Sequence, residues 1–377
     1  MPMKKLASHV LRNPGPRLAV GCVVMGIGGP VGGQETFTGT ELGTEVIHAE
    51  DAATSGATIA WRGESGHRQY QVRATYDRYE VDFEPNRLSA GILQSRGVDQ
   101  DRRGIDFSIT QPLKERWEAT VSANLADGFS DYRAVWISEY YRQLFSRFGE
   151  YEDPDPGSYG GSLAVQWEAV PGNVFIDLTL GGTQERISPG YERIIGPGGG
   201  LEKDEELLNA WSGTLGIEHF LSDRHRLRHE FAASTVTGRD PRVSYRGRLN
   251  WAVAADWVSR SEWSYLREGN DFYAWSAGTG IERDWKERWF AGLNLRYYKD
   301  NGQLENALFT VTSAAPPLQT YRLTATVRYA GERFSALLYA GPYWTEYGDP
   351  GDDIAPFSNL YKDRDWVHGG IRLSIPF

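Results

Sequence analysis

His219, His225 and His229 are interleaved with Asp223 and Glu230, and His368 follows Asp365. An imidazole oriented by a carboxylate is the general base of much hydrolysis, but it needs a nucleophile in reach. No nucleophilic serine stands beside His368, and the expected catalytic set is none. Glu150, Glu152, Asp153 and Asp155, and later Asp349, Asp352 and Asp353, are dense enough for calcium, which takes about six to eight oxygen ligands. They form no complete calcium-loop signature, so the expectation is a solvated acidic surface and no metal. The glycines of 196 to 200 do not join a strand to a helix and offer no phosphate cradle. No cofactor is implied.

A second set of charges obeys a different rule. Asp106, Glu118, Glu168, Asp177, Glu218 and Glu230, followed by Arg246, Arg248, Arg296, Arg322, Arg328 and Arg372, lie in runs where apolar and polar residues alternate. A period of two describes a β-strand with one apolar and one polar face. Arg73, Arg228 and Glu282 break the order of acids first and bases later.

The elements that carry these charges follow from the same alternation. The first run holds Tyr70, Val72, Ala74 and Tyr76 and the second Ile105, Phe107 and Ile109. Further runs are anchored at Trp117, Leu163, Val174, Trp211, Leu227, Leu249, Trp263, Tyr273, Trp289, Tyr321 and Phe334, with a terminal run to Phe377. About 14 strands result, joined by alternating short turns and long connections at 85 to 100, 128 to 157, 184 to 210, 300 to 319 and 346 to 363. Trp117, Trp289 and Phe334 begin strands leaving short turns, whereas Trp211, Tyr273 and Tyr321 begin strands leaving long connections. Aromatic rings in two such belts are what a membrane with two interfaces selects.

The last eleven residues alternate without a slip: Val367, Gly369, Ile371, Leu373, Ile375 and Phe377 share one face and Arg372 lies on the other. This ending resembles the closing strand of bacterial outer-membrane β-barrel proteins of porin-like type. The resemblance implies an assembly signal, Val367, Ile371, Leu373, Ile375 and Phe377, read by the barrel assembly machinery. It also implies an all-β, closed antiparallel transmembrane barrel with short periplasmic turns and long extracellular loops.

The amino terminus agrees. Lys4, Lys5, Arg12 and Arg17 precede the apolar stretch Leu18 to Ile27, with Gly32 and Gly33 after it, the order of a secretory signal peptide. Roughly ten apolar residues are too few for a spanning helix, which needs about 20. The expected organisation is a signal peptide at 1–33, a periplasmic arm at 34–66 and a barrel at 67–377. The only cysteine, Cys22, leaves with the signal. Charged residues are 24% of the chain and mean hydropathy is -0.49. Those values exclude a helical membrane protein but suit a barrel, which shows lipid only alternate residues. Net charge is -10 at pH 7, against a nucleic-acid partner.

Function follows from the polar face. A 14-strand barrel would set its acidic and basic arcs across the lumen from one another, and a transverse field biases ions and dipolar solutes. Small inward residues, among them Gly181, Gly216, Gly278, Gly280, Gly292 and Gly370, leave room. The expected function is passive diffusion of small polar solutes or ions in a Gram-negative outer membrane, among lipid and lipopolysaccharide. The alternatives are a non-conducting barrel for surface binding, polysaccharide or secretion and, less favoured, an outer-membrane hydrolase. The stretch Tyr132, Trp136, Tyr140, Tyr141, Phe145 and Phe148 has spacings compatible with an amphipathic helix that would constrict the mouth or stack on a saccharide, but the expectation is an extension of the adjacent strands or plain hydrophobic cover on a loop. Solute identity and oligomeric state are not legible.

Overall fold

The computed structural model describes residues 38–85, 93–129, 132–146, 155–193, 201–236, 240–270, 272–286, 288–302, 316–348 and 361–376. The expected signal peptide, the 196–200 glycines, Phe377 and the loop acids other than Asp155 lie outside them. Sixteen strands close into one antiparallel barrel, each bonded to its sequence neighbours and the last to the first. They are β1 Gly39–His48, β2 Ala52–Ser65, β3 Arg68–Phe83, β4 Arg96–Lys114, β5 Trp117–Gly128, β6 Gly157–Val170, β7 Val174–Arg193 and β8 Leu201–Ser222. The second half comprises β9 His225–Val236, β10 Arg242–Ala254, β11 Trp257–Glu268, β12 Phe272–Asp284, β13 Trp289–Asp300, β14 Leu318–Ala330, β15 Ser335–Tyr347 and β16 Arg364–Pro376. One helix, α1 Tyr132–Phe145, lies between β5 and β6.

The expected 14 strands become 16 because residues read as a periplasmic arm form β1 and β2. Their outward residues include Leu42, Val46, Ile59 and Trp61, but Thr44, Ser55 and Ala57 share that face and weaken its apolar signal. Closure shifts accordingly. The terminal strand pairs with β1, Leu42 opposite Leu373 and Val46 opposite Gly369, and not with the strand of Tyr70 and Val72. The connection expected at 184–210 is mostly strand, since β7 runs on to Arg193 and β8 begins at Leu201.

Turns of two to four residues join β2–β3, β4–β5, β6–β7 and every later even–odd pair at one end, and three-residue connections also join β1–β2 and β11–β12 at the other. The longer connections gather at that second end. Trp117 stacks on Trp167 at 5.5 Å and Trp289 meets Tyr329 at 5.0 Å beside the short turns. Trp275, Tyr297 and Tyr321 adjoin at 4.9 Å steps near the long connections. Eight residues separate Trp289 from Tyr297, ~26 Å of strand at ~3.3 Å per residue. Tilted as barrel strands are, that spans a hydrocarbon band of roughly 20–25 Å. Val121, Leu125, Leu180, Leu293 and Leu338 are about half exposed between the belts. Their exposure is the lipid-facing surface of such a fold, in which every backbone group is paired internally.

Gly341 marks a local pinch in β15. A Cβ there would sit 1.9 Å from the Leu323 carbonyl oxygen, and Pro342, which follows it, brings no N–H to the ladder. The β14–β15 pairing accordingly passes from Arg322↔Tyr343 to Ala325↔Ala340.

Candidate functional site

With the odd–even pattern fixed by lipid, the intervening residues face inward and form two unlike walls. On the first wall, cross-strand pairing sets Ser108 beside Ser122, Ser122 beside Ser162, Ser162 beside Gly181, Gly181 beside Ser212 and Ser212 beside Ser234. This oblique row of small residues crosses β4 to β9. It lines a recess of about 430 Å³ that also reaches Gln71, Arg73 and Asp106.

The second wall is a ladder of long side chains. Register carries it from Glu218 to Arg228, Arg248, Glu262, Gly278, Arg296, Arg322, Tyr343 and Trp366, from β8 to β16. Arg228 donates to Asp177 at 2.7 and 3.0 Å and to Glu230 at 3.4 Å. Arg226 pairs with Glu218 at 2.5 Å. Glu262 is shared by Arg246 at 2.8 Å and Arg296 at 3.7 Å. Glu282 is shared by Arg260 at 3.2 Å and Arg328 at 3.4 Å. Arg322 faces Glu45 at 3.8 Å and Arg372 faces Glu41 at 3.3 Å, which ties β14 and β16 to β1.

All twelve charged residues singled out from the sequence therefore point inward, but not as two separated arcs. Asp177, Glu218 and Glu230 are paired with Arg226 and Arg228 on their own side, and Arg246, Arg296 and Arg328 with Glu262 and Glu282. Local pairing removes most of the expected transverse field. Asp106, Glu118 and Glu168 remain without an ion pair among the described residues, as does Arg248. Sequence reasoning missed Glu41 and Glu45, which fell in the supposed arm, and the serine row. A repeating serine at the inward parity of consecutive strands was the available signal.

His368 is not arranged as a base. It faces inward, 1% exposed, and its Nε2 accepts from Arg322 Nε at 3.0 Å with Thr324 Oγ1 also at 3.0 Å. Asp365 lies on the opposite face of β16. The clustered histidines His219, His225 and His229 face outward: His225 stacks on Trp251 at 5.7 Å, and His229 Nδ1 is 2.9 Å from the Tyr245 hydroxyl. Glu230 points inward, so that cluster is split between the two faces of the sheet.

Helix α1 lies in the mouth at the long-connection end, against β2, β3 and β4. Trp136 and Val135 are fully buried, as is the inward Phe83 of β3. Arg364 on β16 binds Asp51 of the β1–β2 turn at 2.7 and 3.1 Å while its guanidinium lies 5.2 Å from the Trp136 ring. Glu139 accepts from Arg142 and Gln143 at 2.7 Å, and Gln143 bonds Gln94 of the chain leading into β4. Burial pushes the Tyr140 phenol up to about 12. The aromatic stretch thus forms a helix, not an extension of the adjacent strands, and Val135, Trp136 and Tyr140 are buried as apolar cover. The side chains of Tyr132, Tyr141 and Phe145, and Phe148 as a whole, lie outside the described set.

No protein-family model matches the sequence, and no curated protein does. Among solved structures, CdiB from Acinetobacter baumannii is similar with a TM-score of 0.53, at 11% identity over 89% of this chain and 59% of that chain. The Pseudomonas putida toluene transporter TodX gives 0.44, at 9% identity over 90% of each chain. The siderophore receptor PirA from Acinetobacter baumannii gives 0.41, at 11% identity over 84% of this chain and 54% of that one. The likeness to CdiB is one of fold, and this chain spans 59% of its length. The fold is that of bacterial outer-membrane β-barrels.

Proposed function

We propose that the protein is a passive channel through which small polar solutes or ions cross the bacterial outer membrane. The serine row carries this reading. A barrel of about eight strands fills its own interior with side chains, whereas 16 strands or more leave space. Here that space adjoins hydroxyls and glycines from β4 to β9 instead of being filled by large residues. Hydroxyls exchange hydrogen bonds with passing water and polar solutes and bind neither tightly, which suits conduction.

In this reading the short turns are periplasmic and the long connections extracellular, so α1 narrows the outer mouth. Val367, Ile371, Leu373, Ile375 and Phe377 serve the assembly machinery. The twelve charged residues line the pore or its wall, with lipid and lipopolysaccharide outside. Purified protein in planar lipid bilayers is expected to give discrete conductance steps in KCl. Protein that inserts, shown by protection of its strands from protease in vesicles, yet never conducts would overturn the proposal.

A further inference from the structure

The second wall contains a recess of its own. It occupies about 120 Å³ between β10 and β16, well above the ~10–15 Å³ that a single water requires. Glycine makes the space: Gly280 on β12 lies between Arg260 and Asn294 in register, and a Cβ there would come within 2.8 Å of the Asn294 amide. Arg248, Arg260, Arg296 and Arg372 line the recess against only two carboxylates, Glu262 and Glu282. Each of those carboxylates already serves a second arginine, Arg246 and Arg328 respectively. Arg372 pairs with Glu41 outside the recess, and among the ion pairs of the described residues the arginines still outnumber the carboxylates here.

Arg248 holds that excess. It makes no hydrogen bond or contact ion pair within the described residues, although Glu262 and Arg228 flank it in register and Glu262 and Glu230 act on it at longer range, as do Arg246 and Arg228. Asn250, two residues on and on the same face, has a buried side-chain oxygen without a partner. Its side chain also lines the recess and carries an amide NH₂, a donor. A guanidinium fork and an amide donor in a glycine-floored pocket are complementary to a planar or tetrahedral oxyanion.

We propose that this recess is a binding subsite for a small oxyanion, carboxylate or phosphate, held by Arg248 and Asn250. The site rests on the channel reading for access from solution, and it makes the solute class anionic. Titration of the detergent-purified barrel with succinate and with inorganic phosphate, followed by calorimetry at low ionic strength, tests it. The wild type is expected to bind at least one, and the stronger of the two identifies the chemistry. R248Q should weaken binding tenfold or more and R248K by less, because a lysine keeps the charge but loses the fork. R73Q, on the serine wall, should leave affinity unchanged. A wild type that binds neither anion, or an R248Q or R248K protein that binds as well as wild type with unaltered circular dichroism, overturns the proposal. Conductance of the same preparations separates the two readings. Binding without conductance removes the channel and keeps the site, whereas conductance without binding does the reverse.

Discussion

The two walls of this barrel are made of the same strands by opposite means. From β4 to β9 one row of neighbours is Ser108, Ser122, Ser162, Gly181, Ser212 and Ser234, and from β8 to β16 another is Glu218, Arg228, Arg248, Glu262, Gly278, Arg296, Arg322, Tyr343 and Trp366. Both rows are polar, so polarity alone does not distinguish passage from structure. Side-chain length and pairing do. Short hydroxyl residues leave the wall hydrated, whereas paired arginines and glutamates reach across several strands and fill it. If the proposed channel function holds, the serine wall is the conducting side and the charged wall is a brace.

The strongest way to break the comparison is to remove the brace. Arg228 meets three carboxylates, Asp177, Glu230 and, at 4.0 Å, Glu218, and its side chain is 22% exposed. Arg228→Met leaves those acids crowded together without their common cation. Breaking a largely buried pair costs about 3–5 kcal/mol, and the residual exposure here puts the expected loss at about 2–4 kcal/mol. Urea unfolding in detergent or lipid reads it directly. A midpoint within error of wild type would show that the charged wall is decorative.

The opposite intervention belongs on the serine wall. Ser212 is exposed to the interior toward the β9 end of the row, so Ser212→Trp adds bulk where there is room for it. Stability should stay within about 0.5 kcal/mol, the usual range for substitutions away from packed features. Conductance should fall to roughly half if this wall carries the water path. An unchanged conductance would move the path elsewhere in the lumen.

How much of this was legible beforehand differs by region for physical reasons. Strands β3 to β16 announce themselves because Trp117, Leu163, Val174 or Trp289 repeat at every second position. In β1 and β2, Thr44, Ser55 and Ala57 stand where large apolar residues would, and lipid tolerates small residues that a hydrophobicity pattern does not register. The inward parity of Arg246 or Glu218 follows once the outward face is known. Their partners do not, because Arg228 and Asp177 are 51 residues apart and meet only through the strand between them. Charge order along the chain therefore suggested a field across the barrel, where folding instead makes short lateral bridges. The split of His229 from Glu230 was readable from parity alone.

What survives of that field sets the smallest and most discriminating effect. Asp106, Glu118 and Glu168 face the interior on β4 to β6 without ion pairs among the described residues, although Glu168 accepts the Gly172 N–H at 2.5 Å in its turn. The charged wall at β12 to β14 lies opposite them in a 16-strand circuit, and the cationic excess around Arg248 on β10 adjoins that arc. Conversion to D106N/E118Q/E168Q retains an acceptor at each position and should hardly change stability. It should shift the reversal potential in a KCl gradient toward anions, by about a twofold change in permeability ratio at 0.1 M salt, where charges act over ~10 Å. At 1 M the reach shrinks to ~3 Å and the shift should vanish. A shift that persists at high salt would mean that these acids contact the permeating ion directly. No shift at either concentration would mean that the ions pass nearer the arginines than the serines, and the assignment of the two walls would then be reversed.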